Sequence, residues 1–381
     1  MASNDPIDAT LEAANAPAPD HDGKPQSPPK LDKSSWRYAL KRALREFGTD
    51  NGTDLAAMLT YYTVLSIAPG LLAVFSIVAL VLANNAETVT ALVDDVVRQY
   101  VPEDARPLVV DVVETMMSST TGGVLALIIG LATAIWSASA YVKAFSRCMN
   151  TIYGIEEGRG FVTQTVTMLL VTVAMLVGTV LILISIAVND ALVSGVLGPV
   201  AGPLGLTDLL GFLNGVFLPI WAWLKWPFIL AILIAMNALL YYLSPNLKQP
   251  KFTWISIGSI FAIVGIAVAA VALSIYFAFV AGYSSYGAIG AVMALLLALW
   301  VFNIVLLLGA EVDAEIERAR ELQAGIDAES AIQLPPRDTK KVEKMRKARD
   351  KLESEGRELR ERHGRAAHYD DKGATRLDRR A

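Results

Sequence analysis

The chain is short of the side chains that carry most acid–base and metal chemistry. Its three histidines, His21, His363 and His368, lie in polar terminal stretches, and Cys148 is its one cysteine. A single thiol excludes an internal disulfide framework and an all-cysteine metal site. The apolar middle therefore has no imidazole for general-base work or zinc ligation. No cluster of His, Asp and Glu has the spacing of a metal-assisted hydrolase, and no P-loop is present for ATP hydrolysis. The expectation is a protein that is not an enzyme and needs no cofactor.

What remains are hydroxyls, phenols and a few charges at the margins of apolar runs. Tyr61, Tyr62, Thr63 and Ser66 sit in one such run, ahead of Pro69, which removes an amide donor and favours a kink. Polar groups inside a bilayer must find partners, so these side chains should face other helices or a cavity. A second run carries Ser137, Ser139 and Tyr141, then Lys143 and Arg147, four residues apart on one helical face. The two bases either snorkel to anionic headgroups or form a basic site for an anionic substrate. Glu311 closes the last apolar run on the same side as these bases. The expected substrate site is a polar cavity open to the cytoplasmic half, lined by Tyr61, Tyr62, Ser66 and Ser139 and closed by Arg147 and Glu311. The alternative is that all six residues serve helix packing.

Elements of one kind can position such residues. The chain is 54% hydrophobic and 18% charged, more apolar and less charged than a soluble domain. Between Thr253 and Ala310 there is no Asp, Glu, Lys or Arg. A membrane helix takes about 20 mostly apolar residues. Six stretches qualify, near 55–82, 123–142, 161–188, 217–243, 253–280 and 287–310. Connections carrying Lys and Arg alternate with connections that are acidic or uncharged, which places both termini in the cytoplasm. The fold class expected is all-α and polytopic. Residues 34–320 form the membrane domain, opened by a basic amphipathic helix at 34–47 that lies in the headgroups or packs on the bundle. In the first outer loop, Val89–Val101 and Leu108–Met117 show two short amphipathic stripes separated by Pro102. Residues 1–33, rich in Pro and Asp, are expected to be disordered. Residues 321–381 form a charged tail, partly helical and then disordered.

The motifs together resemble the YihY/BrkB family of bacterial inner-membrane proteins. The resemblance rests on Tyr61-Tyr62-Thr63, Ser66 and Pro69, and then on Asn150, Tyr153 and Gly154. Tyr241, Pro245 and Asn246 follow, and Tyr286-Gly287 and Gly309-Ala310-Glu311 complete it. It implies a multi-pass protein of the bacterial cytoplasmic membrane, with transport or export of lipid or anionic material as the expected activity. A membrane scaffold or envelope-homeostasis role without transport is the alternative. The family's former ribonuclease label finds no matching site in these residues. Membrane lipids are the expected partners and nucleic acid is not. A homo-oligomer or an envelope partner both stay open.

Overall fold

The computed structural model describes residues 5–81, 123–189, 193, 207–250, 252–279 and 287–362. The two amphipathic stripes of the first outer loop, and Tyr286, lie outside these residues. The described residues form one 3-10 turn at Pro28–Lys30 and nine α-helical elements. They are α1 (Pro6–Ala13), α2 (Lys33–Thr49), α3 (Gly52–Val81), α4 (Gly123–Ile152) and α5 (Phe161–Ala187). After them come α6 (Thr207–Leu243), α7 (Phe252–Phe279), α8 (Gly287–Gln323) and α9 (Lys340–Arg362). Within α6 the residues Leu213–Phe217 form a π-turn.

Helices α3 to α8 close into a ring in chain order. Each packs on the next, and α8 returns to α3. Small residues allow the closest approaches. Gly258 of α7 and Gly309 of α8 lie so near that a methyl group on Gly258 would overlap the Gly309 carbonyl. Tyr241 seals the same spot by donating its hydroxyl to the Leu306 carbonyl at 2.5 Å. The helices around it are held by stacking of Phe145 on Tyr241, with ring centroids 5.9 Å apart.

Among the described residues, four helices are long and apolar enough to cross a membrane: Phe161–Ala187, Thr207–Leu243, Ile257–Ala278 and Ile289–Gln323. Large apolar side chains such as Trp223, Phe161, Val268 and Ile289 are exposed on their outer surfaces. In water such a band would be unstable, and in hydrocarbon it is the favoured surface.

Two sequence expectations need correction. Parts of the 5–33 stretch are packed against the protein. α1 lies against α9, and the stretch around Lys24 runs along the end of α8, where the Lys24 ammonium is buried between Glu317 and Glu321 at 2.9 and 3.0 Å. Hydropathy misses this because the cover is polar and works through paired charge. The last ring helix also outruns its apolar stretch: α8 continues to Gln323, whereas the run of α4 to Ile152 agrees with the helical face expected for Lys143 and Arg147. The charged extension of α8 is buried from Glu311 to Glu321, since the N-terminal stretch, α2 and the segment near 328–334 cover it. α2 packs on it through Ala39 and Ala43, against Val312, Ile316 and Ala319. Leu40 and Leu44 of α2 stay exposed.

Candidate functional site

All six ring helices contribute to one cavity of about 510 Å³. Its polar lining comes from Thr63 and Ser66 of α3, Tyr141 of α4, Thr172 and Thr179 of α5, Asn237 of α6 and Asn303 of α8. The rest is aliphatic apart from Phe302, and among the described residues no Asp, Glu, Lys, Arg or His takes part. Asn303 organises one wall. Its Oδ1 accepts from the Tyr141 hydroxyl at 3.1 Å, and its Nδ2 donates to Thr60 Oγ1 at 3.2 Å and to the Leu299 carbonyl at 3.0 Å. Thr63 and Thr172 satisfy their own hydroxyls by donating to the carbonyls of Leu59 and Met168, four residues back. Ser66 differs: its Oγ is buried and has no hydrogen-bond partner among the described residues. A buried hydroxyl without a partner costs on the order of 1–3 kcal/mol, so a ligand hydroxyl, carbonyl or water would be favoured there.

The residues expected to line one cavity do not converge. Ser66 lines it. Tyr61 is exposed, with its ring edge-on to Tyr62. Tyr62 is half-buried beneath the Arg147 guanidinium, 5.2 Å from its ring centroid. Ser139 is fully buried and donates to the Trp136 carbonyl at 2.6 Å. Arg147 is exposed, while Glu311 is buried in a separate pocket. The expected closure by Arg147 and Glu311 is therefore not formed: each points to a different environment. Asn303, which holds the wall together, was missed. A lone amide inside the run Leu299–Leu308 was the available signal.

The family-like motif residues build one end of the bundle. Arg159, almost fully buried, donates to both oxygens of Glu157 at 2.7 Å and to the Ser244 carbonyl at 2.7 Å. Asn150 donates to Glu157 and accepts from the Asn246 amide at 2.9 Å. The Asn246 side chain then reaches the carbonyls of Glu156 and Asp338. Pro245 ends α6 within this knot, and Tyr153 is buried in the adjoining core. Gly154 turns the chain with φ +64°, a conformation that favours glycine. Arg337 extends the knot to the C-terminal segment by donating to the carbonyls of Leu247 and Tyr242. Pro69 lies inside α3 and Gly287 opens α8.

Comparison with known proteins follows this geometry. The model of the family described as virulence factor BrkB matches residues 43–332. The ribonuclease-like protein YfkH of Bacillus subtilis (strain 168) is 28% identical over 285 residues, covering 74% of this chain and 96% of that protein. No solved structure matches.

Proposed function

The chain belongs to the virulence factor BrkB family, and from that premise we propose that it is a multi-pass protein of the bacterial cytoplasmic membrane that takes up a lipid-like amphiphile in its bundle cavity and moves it through the membrane. The observation that carries this reading is the cavity, reached by all six ring helices, mostly apolar, with the unpartnered Ser66 hydroxyl in its wall. An uncharged lining fits an acyl or isoprenoid chain bearing a hydroxyl or carbonyl better than a free anionic metabolite, whose charge would be stranded there. Arg147 and Lys143, which sit over Tyr62 and Trp136, hold the anionic headgroup at the membrane surface in this proposal. Tyr61 faces the same lipid, and Ser139 keeps α4 close-packed. Glu311 has no part in the amphiphile's path.

The scaffold reading is favoured by one observation: Asn303, Tyr141 and Thr60 already satisfy one another across α3, α4 and α8. Filling the cavity separates the two. Gly70→Leu with Ala138→Leu places bulk in its wall. The expected result is a folded protein that loses co-purifying lipid, scored by mass spectrometry, and loses rescue of a deletion strain. Full rescue by the filled variant would decide for the scaffold. The ribonuclease-like name belongs to the relative; among the described residues the bundle cavity presents no carboxylate or imidazole to a substrate.

A further inference from the structure

A second pocket, of about 330 Å³, lies where α1, α2, the end of α8 and the segment near 330–333 meet. It shares no lining residue with the bundle cavity. Its carboxylates are Glu12, Glu46, Asp50, Glu311 and Glu315, against the guanidinium groups of Arg42 and Arg318. Both guanidiniums are already committed. Arg42 pairs with Glu46 at 3.4 Å and Glu315 at 3.2 Å, and donates to the Glu329 carbonyl. Arg318 pairs with Glu315 at 2.9 Å and donates to the Ala328 carbonyl at 2.7 Å. Asp50 and Glu311 are left without an ion-pair partner among the described residues. Glu311 is 1% exposed, lines the pocket, and its Oε2 is buried with no hydrogen-bond partner.

A buried carboxylate oxygen in a pocket of excess negative charge asks for a cationic donor. We propose that this pocket binds a small organic cation carrying primary ammonium groups, one of them facing Glu311 and Asp50. The remaining walls suit such a molecule. Ala9, Ala13 and Ile332 give an aliphatic surface for a methylene chain, and Glu12 of α1 offers a second carboxylate for its far end. A bare divalent ion fits less well. It would fill little of the volume, and among the described residues no group of three or more His, Cys, Asp or Glu is gathered closely enough to hold one. α1 forms one wall, so bound cation would also tie the N-terminal helix to α2 and α8.

The test is calorimetric titration of the full-length protein in detergent with 1,4-diaminobutane, with 1,4-butanediol and magnesium chloride as comparison ligands. The diamine is expected to bind saturably, and the diol and magnesium are not. Glu311→Gln and Asp50→Asn are each expected to weaken diamine binding about tenfold or more, the effect of losing one charge-assisted hydrogen bond. Both variants should stay folded without ligand, since each removes a carboxylate that sits among like charges. The proposal is overturned by absent saturable diamine binding, by wild-type affinity in both variants, or by equal binding of the diol. Magnesium binding that disappears in the same variants overturns it too, by assigning the pocket to a metal ion.

Discussion

Arg159 shows how little of a residue's work is visible from its type. In the sequence it is one basic residue in a connection expected to be cytoplasmic. In the structure its guanidinium ties Glu157, Ser146 and the carbonyls of Leu243 and Ser244 into one buried knot. Removing one partner of a buried ion pair costs about 3–5 kcal/mol, because the other charge is left desolvated. Arg159→Ala is therefore expected to lower thermal stability in detergent by that order, and Arg159→Lys to rescue only part, as an ammonium cannot engage both Glu157 oxygens in a fork. Stability equal to wild type in Arg159→Ala would contradict the knot. Asn150 and Asn246 were legible as pattern, but their roles depend on Glu156, Glu157 and Asp338, which no spacing rule connects. Asp50 makes a pH-dependent case. Burial, then Glu46 and Glu315, raise its carboxyl from 3.8 to about 6, with Arg318 opposing; Arg42, Glu311 and Glu12 line the same pocket. The folded state thus holds this proton more tightly than the unfolded chain does. The resulting stabilisation is full below about pH 4 and lost as pH rises through about 6. Raising pH from about 5 to about 7.5 should lower the thermal midpoint, and Asp50→Asn should flatten part of that fall. An unchanged slope in Asp50→Asn would place the titration elsewhere.

At the level of elements, the apolar runs predicted where helices lie but not where they stop. A bilayer selects for length and hydropathy, so the runs are plain in the sequence. The extension of α8 past the apolar stretch depends on charge pairing with distant segments, which leaves no periodic trace. Glu317 and Glu321 of α8 are held by Lys24, and Arg320 by Glu317 and the Pro25 carbonyl. The stretch around Lys24 has the composition of a disordered tail, and it is ordered by what it covers. Lys24→Met keeps the aliphatic stem but removes the ammonium from two buried carboxylates, leaving Glu317 to Arg320 alone and Glu321 without its cation. Faster amide hydrogen exchange is expected at residues 311–323, with α5 and α6 unaffected. Unchanged exchange across α8 would mean that the N-terminal stretch is passive. α2 resolves its own ambiguity by the same logic. Its alanine face packs on α8, while Leu40 and Leu44 remain exposed for lipid or for another surface.

For the whole molecule, the closed ring explains why the bundle cavity was only partly legible. Its lining comes from six helices, and the sequence marks single polar residues without saying which face one another. Ser66 lines the cavity, whereas Arg147 and Glu311, matched by depth alone, sit at different places on the knotted end of the ring. A depth argument locates a residue along the membrane normal and is blind to rotation about it. The same asymmetry of charge nonetheless makes a prediction about the whole arrangement. Lys143, Arg147, Arg159, Lys248 and Arg337 all belong to the knotted end with the α8 extension and α9, and the connections at 190–206 and 280–286 have no Lys or Arg. If the knotted end is cytoplasmic, six helices cross the membrane with both termini inside. The native thiol does not interfere, because Cys148 is fully buried. Single cysteines introduced in place of Ser118, Ser194 and Ser284 should react with an impermeant maleimide in intact cells. Cysteine at Ser330, which is exposed in the structure, should react only after the cytoplasmic membrane is opened. Reaction of the Ser330 variant in intact cells would invert the molecule, and silence at Ser194 with reaction at Ser284 would leave an odd number of crossings between them and remove either α6 or α7 as a span.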